Sequence, residues 1–271
     1  MTVHGIDVSK WQGRIDWVQV RNAGYTWVAT RTWDRQTDAV DETFAYNRDE
    51  MAFGRWRLLY YWLEPGRVSE GVAEFFDSIG ELRPGEGAML DAEEEGITLA
   101  ECIEWCELVE ARTGYPCAVY TGGYTCDGAL WHSDELFNGK RARIFAAYTS
   151  EADARGHADG IAWDAWQYSC TGTVPGVDAD CDLDRIDNPA AFDRCLRPAT
   201  TAPPADEAAV LAALAALQVD IDGLVTNSAN RYKDLEAKIN RNRDHVDGLA
   251  TNESNRYAQY VGWHDDVMGA L

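Results

Sequence analysis

An apolar run that ends abruptly in acids, Ala88-Met89-Leu90-Asp91-Ala92-Glu93-Glu94-Glu95, is the first place to look for chemistry in this chain. On a strand, side chains alternate between faces, so Asp91 and Glu93 share one face and Leu90 and Ala92 the other. Two carboxyls held side by side oppose each other's ionisation. One can stay protonated near neutral pH and act as an acid while its neighbour stays charged. The same residues also fit a strand running into an acidic, solvated loop. Two further acids, Asp7 and Asp182, stand at or just after strand-like runs. Around these ends gather Tyr61, Trp62, Tyr120, Tyr148, Trp166, Gln167 and Tyr168. Each aromatic alone fits a core position at least as well. Jointly placed, they suit a sugar polymer, because aromatic faces stack on pyranose rings while carboxyls protonate a glycosidic oxygen and stabilise the resulting cation.

The elements that must position these groups follow a regular order. Short apolar runs at 5–9, 25–31, 56–63, 87–91, 117–121, 143–148 and 162–168 alternate with helical stretches at 15–24, 41–52, 69–79 and 99–112. That alternation predicts a parallel sheet covered by helices, either a barrel or an open doubly wound sheet. No GxGxxG follows the first strand, which disfavours a dinucleotide-binding sheet. Functional side chains at the ends of several strands favour the barrel, whose active site collects residues from the C-terminal ends of its strands.

Composition narrows the partners. The formal charge of −22 argues against nucleic acid and against an anionic membrane surface. No run approaches the length of a membrane span, and the first residues lack the basic and apolar regions of a secretory signal. The seven cysteines show no CxxC spacing. With no convergent ligand set, no metal and no cofactor is expected. Cys102 and Cys106 share a helix face; Cys170 and Cys181 flank a turn-rich segment across which they can meet. Mostly buried free thiols with at most one disulfide is the expectation.

Four segments carry a resemblance: Gly5-Ile6-Asp7-Val8-Ser9-Lys10-Trp11-Gln12-Gly13, Leu90-Asp91-Ala92-Glu93, Trp166-Gln167-Tyr168 and Cys181-Asp182-Leu183-Asp184. In order and spacing they resemble the signature segments of glycoside hydrolase family 25, the Chalaropsis-type lysozymes, across residues 3–195. The resemblance implies an irregular β/α, TIM-like barrel with a groove along its C-terminal face. It also implies cleavage of the β-1,4 bond from N-acetylmuramic acid to N-acetylglucosamine in peptidoglycan. It casts Glu93 as proton donor and gives Asp91 the charge developing at the sugar or the orientation of the substrate's acetamido group. Asp7 and Asp182 would lie on the groove floor, with Tyr61, Trp62, Tyr120, Tyr148, Trp166 and Gln167 binding substrate. Asp184 departs from the asparagine usual there, and Cys181 replaces an apolar residue. A phage-type lysin is implied, held in the host cytoplasm until lysis and then acting on the wall. The rival reading from another class is a non-catalytic wall-binding protein on a decayed barrel; within enzymes, the rival is a different polymer such as chitin.

The barrel is expected to occupy 1–197 and a Pro/Ala/Thr linker 198–205. Beyond it the chain repeats. Asp222-Gly223-Leu224-Val225-Thr226-Asn227-Ser228-Ala229-Asn230-Arg231-Tyr232 returns 25 residues later as Asp247-Gly248-Leu249-Ala250-Thr251-Asn252-Glu253-Ser254-Asn255-Arg256-Tyr257, with most positions identical. Leu214, Leu217, Ile221 and Leu224, then Leu235, Ile239, Val246 and Leu249, follow coiled-coil spacing. A helical repeat over 206–271 is therefore expected to form a homo-oligomer. A hairpin within one chain and a wall-binding module are the alternatives, and Gly223 and Gly248 mark possible breaks.

Overall fold

The computed structural model describes residues 3–122 and 130–198. The expected linker beyond Pro198 and the helical repeat lie outside the described residues. In chain order the strands are β1 (Val3–Val8), β2 (Trp27–Arg31), β3 (Trp33–Asp34), β4 (Ala39–Val40), β5 (Trp56–Trp62), β6 (Glu86–Asp91), β7 (Ala118–Gly122), β8 (Ala142–Ala146), β9 (Ala165–Gly172) and β10 (Cys181–Ile186). The helices are α1 (Trp17–Asn22), α2 (Phe44–Glu50), α3 (Val68–Ile79), α4 (Leu99–Thr113), α5 (Asp134–Phe137), α6 (Glu151–His157) and α7 (Pro189–Cys195).

Eight strands close into a barrel in the order β1-β10-β9-β8-β7-β6-β5-β2, while β3 and β4 form a separate hairpin above the end of β2. The expectation of an all-parallel sheet needs correction at one strand. β10 runs antiparallel to both β1 and β9. The connection 173–180 explains this: a parallel crossover needs a dozen or more residues, and this segment is too short for one. β10 therefore begins, rather than ends, at the barrel's functional face. Asp182 reaches the site from the start of its strand, directly opposite Asp7. A bulge in β9 skips Tyr168 between Leu183↔Ser169 and Asp184↔Gln167, re-aiming side chains beside the site.

Two apolar layers follow from the alternation of side chains. Trp27, Ala29, Leu58, Tyr60, Met89 and Ile144 fill the barrel lumen. Leu59, Tyr61, Leu90, Ala92, Phe145 and Trp166 face outward, into the layer shared with the helices. The site-bearing strand β6 is anchored at its far end. Arg48 of α2 grips the buried Glu86 through Nε–Oε1 at 3.0 Å and Nη2–Oε2 at 2.7 Å. The same guanidinium donates to the carbonyls of Ile79 and Glu81, each at 2.6 Å. The buried cation is thereby paired and hydrogen-bonded on several sides, the condition under which such a pair is tolerated. Helix α4, which backs β6, starts in a Thr98/Glu101 capping box and ends on Gly114 at φ +80°.

The cysteines among the described residues are free thiols, so the suggested Cys170–Cys181 bridge is not formed. The β9–β10 register explains it: Cys181 faces Gly172, and Cys170 is exposed elsewhere on the strand. Cys102 and Cys106 are both buried against the barrel, on the shared helix face expected of them. Among the described residues no helix is long and apolar enough to cross a membrane.

Candidate active site

Asp91 closes β6, and Glu93 follows two positions on. Leu90 and Ala92 are buried outward, in the layer under the helices, leaving Asp91 and Glu93 at the mouth of the lumen. Burial is the first influence on each: it pushes the Glu93 carboxyl up to about 7 and Asp91 well above the usual carboxylate range. The charge of Glu93 adds to the rise at Asp91, and that of Asp182 adds to the rise at both. The cations are placed unequally. Arg35 offsets the rise at both carboxyls, whereas Arg31 acts on Asp91. The two carboxyls therefore titrate as a pair, with burial favouring a retained proton at both sites and Tyr120 opposing it at Glu93.

Asp7 ends the lumen-facing run of β1 and is 8 % exposed. Asp182 and Asp184 of β10 both come within hydrogen-bonding reach of it. Room for Asp184 comes from Gly5 on the neighbouring strand. A Cβ there would sit 3.1 Å from the Asp184 Cβ and 2.6 Å from the Trp27 ring. Carboxylates cannot hydrogen-bond to one another without a proton between them. Burial first, then mutual repulsion, raises Asp7 and Asp184, and burial holds Asp182 up at about 6. Among the described residues no group of three or more His, Cys, Asp or Glu is arranged to hold a metal ion.

Gln167 ties these acids to the aromatic wall. Its Nε2 donates to Asp7 Oδ2 at 2.6 Å. Its Oε1 accepts from the Tyr120 hydroxyl at 2.9 Å and the Tyr148 hydroxyl at 2.7 Å. Tyr120 also lies within hydrogen-bonding reach of Glu93. With one hydroxyl proton, it can serve Glu93 or Gln167 as donor, not both at once. Tyr148 is half exposed and forms an open edge. Trp62 stands level with Asp91 across the β5–β6 ladder and donates its indole Nε1–H to Glu94 at 2.9 Å.

Two expected substrate contacts are corrected. Tyr61 points out of the barrel, stacked on Trp105 at 6.0 Å with its hydroxyl bonded to Glu74. It fits there because α3 carries Gly71, where a Cβ would fall 2.8 Å from the Tyr61 ring. Trp166 also points outward, packed on Trp163 and Tyr168 with Nε1 donating to the Ala147 carbonyl at 2.9 Å. Both errors are one-residue errors of face. The lumen residue of β5 that sequence reasoning misses is Tyr60, whose hydroxyl is influenced by Asp7, Arg31, Asp91 and Asp182. Counting in twos back from Trp62 reaches it only once the structure has shown that Trp62 faces the site.

The comparisons with known proteins bear on family and fold. The family model for glycosyl hydrolases family 25 matches residues 6–177. The uncharacterized protein YegX of Escherichia coli strain K12 is 29 % identical over 195 residues, covering 67 % of this chain and 68 % of that one. Lysozyme M1 of Streptomyces globisporus is 28 % identical over 214 residues, covering 70 % and 69 %. The crystal structure of the bacterial lysozyme from Streptomyces coelicolor superposes with a TM-score of 0.60 at 22 % identity, over 71 % of this chain and 96 % of that one. That last likeness is one of fold.

Proposed function

This chain belongs to glycosyl hydrolases family 25, and from that premise we propose that it is an N-acetylmuramidase acting on peptidoglycan, with Glu93 as proton donor. The observation that carries the assignment is the carboxyl pair at the end of β6. Burial sets Glu93 at about 7, so near neutral pH it holds a proton and can release it, as a general acid must.

In this reading the Glu93 proton passes to the glycosidic oxygen as the bond from C1 of muramic acid breaks, and the bonding electrons leave with that oxygen. Positive charge develops at the sugar. Asp91, whose ionisation burial and Glu93 oppose and Arg31 and Arg35 favour, answers that charge once ionised or orients the acetamido group. Once Glu93 has given up its proton it takes one back from the water that completes hydrolysis. Asp7, Asp182 and Gln167 form the floor, Tyr120 stands beside Glu93, and Trp62 and Tyr148 flank the sugar. The wall-binding alternative is disfavoured because each proposed catalytic carboxyl is present. The helical repeat would gather several chains at one wall or grip the wall itself; the sequence repeat supports this part.

The test is product chemistry. Purified peptidoglycan is digested and the new reducing ends are identified by mass. Muramic acid ends are expected. Glucosamine ends would assign a different bond, and no new ends would favour a wall-binding protein.

A further inference from the structure

The β3–β4 hairpin carries Arg35 to the rim of the barrel, in surroundings unlike those of its cationic neighbours. Lys10 pairs with Asp34 at 2.5 Å and Arg31 with Asp41 at 2.7 Å, and both acids are almost wholly buried. Those cations are committed to holding the hairpin. Arg35 is not. Its guanidinium lies over the Trp62 indole, 4.7 Å from the ring centroid, and pairs with Glu94. Glu64 stands farther off at 4.0 Å. The Arg35 side chain is 39 % exposed and that of Glu94 28 %. Glu94 thus occupies a solvent-open carboxylate seat made of a guanidinium and an aromatic ring, one residue from the proposed proton donor. Trp62 pairs with Asp91 across the β5–β6 ladder, which places the seat beside the proposed catalytic pair. An exposed ion pair of this kind contributes little to stability and exchanges readily.

The polymer assigned above offers a competing carboxylate. Its muramic acid differs from its glucosamine by a lactyl ether at C3, which ends in a carboxyl group or continues into an acidic peptide. A chain with a net charge of −22 repels such a polymer unless a local cation receives it. We propose that Arg35, backed by Trp62, is the specificity-determining residue that takes the carboxylate borne on the C3 lactyl group, with substrate displacing Glu94. This inference rests on the muramidase reading. It explains how so acidic a protein selects the acidic sugar.

The test compares glycan strands stripped of peptide by an amidase, which carry free lactyl carboxylates, with the same strands capped as methyl amides. Full-length wild type is expected to lose roughly tenfold in kcat/KM on capping, mostly through KM, the scale of one charge-assisted hydrogen-bonded contact. Arg35→Gln should bring the ratio of acid to amide strands close to one. Arg35→Lys should fall between, because it keeps the charge without the planar fork. Glu94→Gln, which removes the internal competitor, should lower KM for the acid strands alone. Equal cleavage of both strands by wild type would overturn the proposal, as would an Arg35→Gln variant that still discriminates. A shifted pH profile with an unchanged ratio would also overturn it, assigning Arg35 only to tuning Glu93. If wild type cleaves neither strand, the muramidase reading itself fails.

Discussion

Gln167 donates to Asp7 at 2.6 Å across the intervening strand β10, joining two residues 160 positions apart. Because its other amide atom accepts from Tyr120 and Tyr148, one side chain links the carboxyl floor, the open aromatic edge and, through Tyr120, the proposed acid. Gln167→Met keeps most of the volume and removes every one of these bonds. We expect kcat to fall about tenfold or more, the kinetic equivalent of losing one hydrogen bond to a charged group, with the circular dichroism of the barrel retained. Unchanged kcat would show that the link is not used.

The pH dependence of kcat/KM, which follows the free enzyme, should report Glu93. A general acid works while protonated, and its carboxyl stands at about 7. Activity should therefore fall as pH rises above about 7, approaching tenfold per unit. A limb near the ordinary carboxylate value would mean that Glu93 is not the titrating acid.

Stability should move with pH in the same range. Asp7, Asp91 and Asp184 are raised, Asp182 to about 6 and Glu93 to about 7. A raised folded value means that the proton is bound more tightly in the native state. Its stabilisation is complete below the unfolded carboxyl value and is lost as pH rises through the folded one. The thermal midpoint should thus be higher at pH 5 than at pH 8. Asp184→Asn removes a buried charge and should raise the midpoint at pH 8 while flattening the slope. A midpoint that climbs between pH 5 and pH 8 would contradict this.

Neighbouring tyrosines should separate by face. Tyr61→Phe loses the bond to Glu74, costing about 1 kcal/mol of stability and leaving KM unchanged. Tyr60→Phe, among Asp7, Asp91 and Asp182, should instead lower kcat. Trp166→Ala should cost about 3–5 kcal/mol by opening the outer layer. Kinetic defects confined to Tyr61 would reverse the assignment of faces.

Tyr60 and Tyr61 also mark where the amino-acid sequence stops being legible. Strand order and the acids that end strands are legible because an apolar run stopping at a carboxylate is a strong local signal, as at Leu90-Asp91. Facing is not legible in β5. Trp56-Arg57-Leu58-Leu59-Tyr60-Tyr61-Trp62 is apolar on both sides, since both faces are buried, and carries no alternation to count. The direction of β10 is legible only from the shortness of 173–180. Arg35 gives no sequence signal. A charged residue in a short hairpin looks like any solvated cation until Trp62 and Glu94 are seen beneath it.

Whether Glu93 supplies the proton is the central question, and one substitution addresses it directly. Glu93→Gln deletes that proton with almost no change in volume. Turnover of purified peptidoglycan should fall by about a thousandfold, within the range of lost general-acid catalysis, while the thermal midpoint holds or rises. Turnover within a few-fold of wild type, with muramic acid ends still appearing, would contradict Glu93 as the donor.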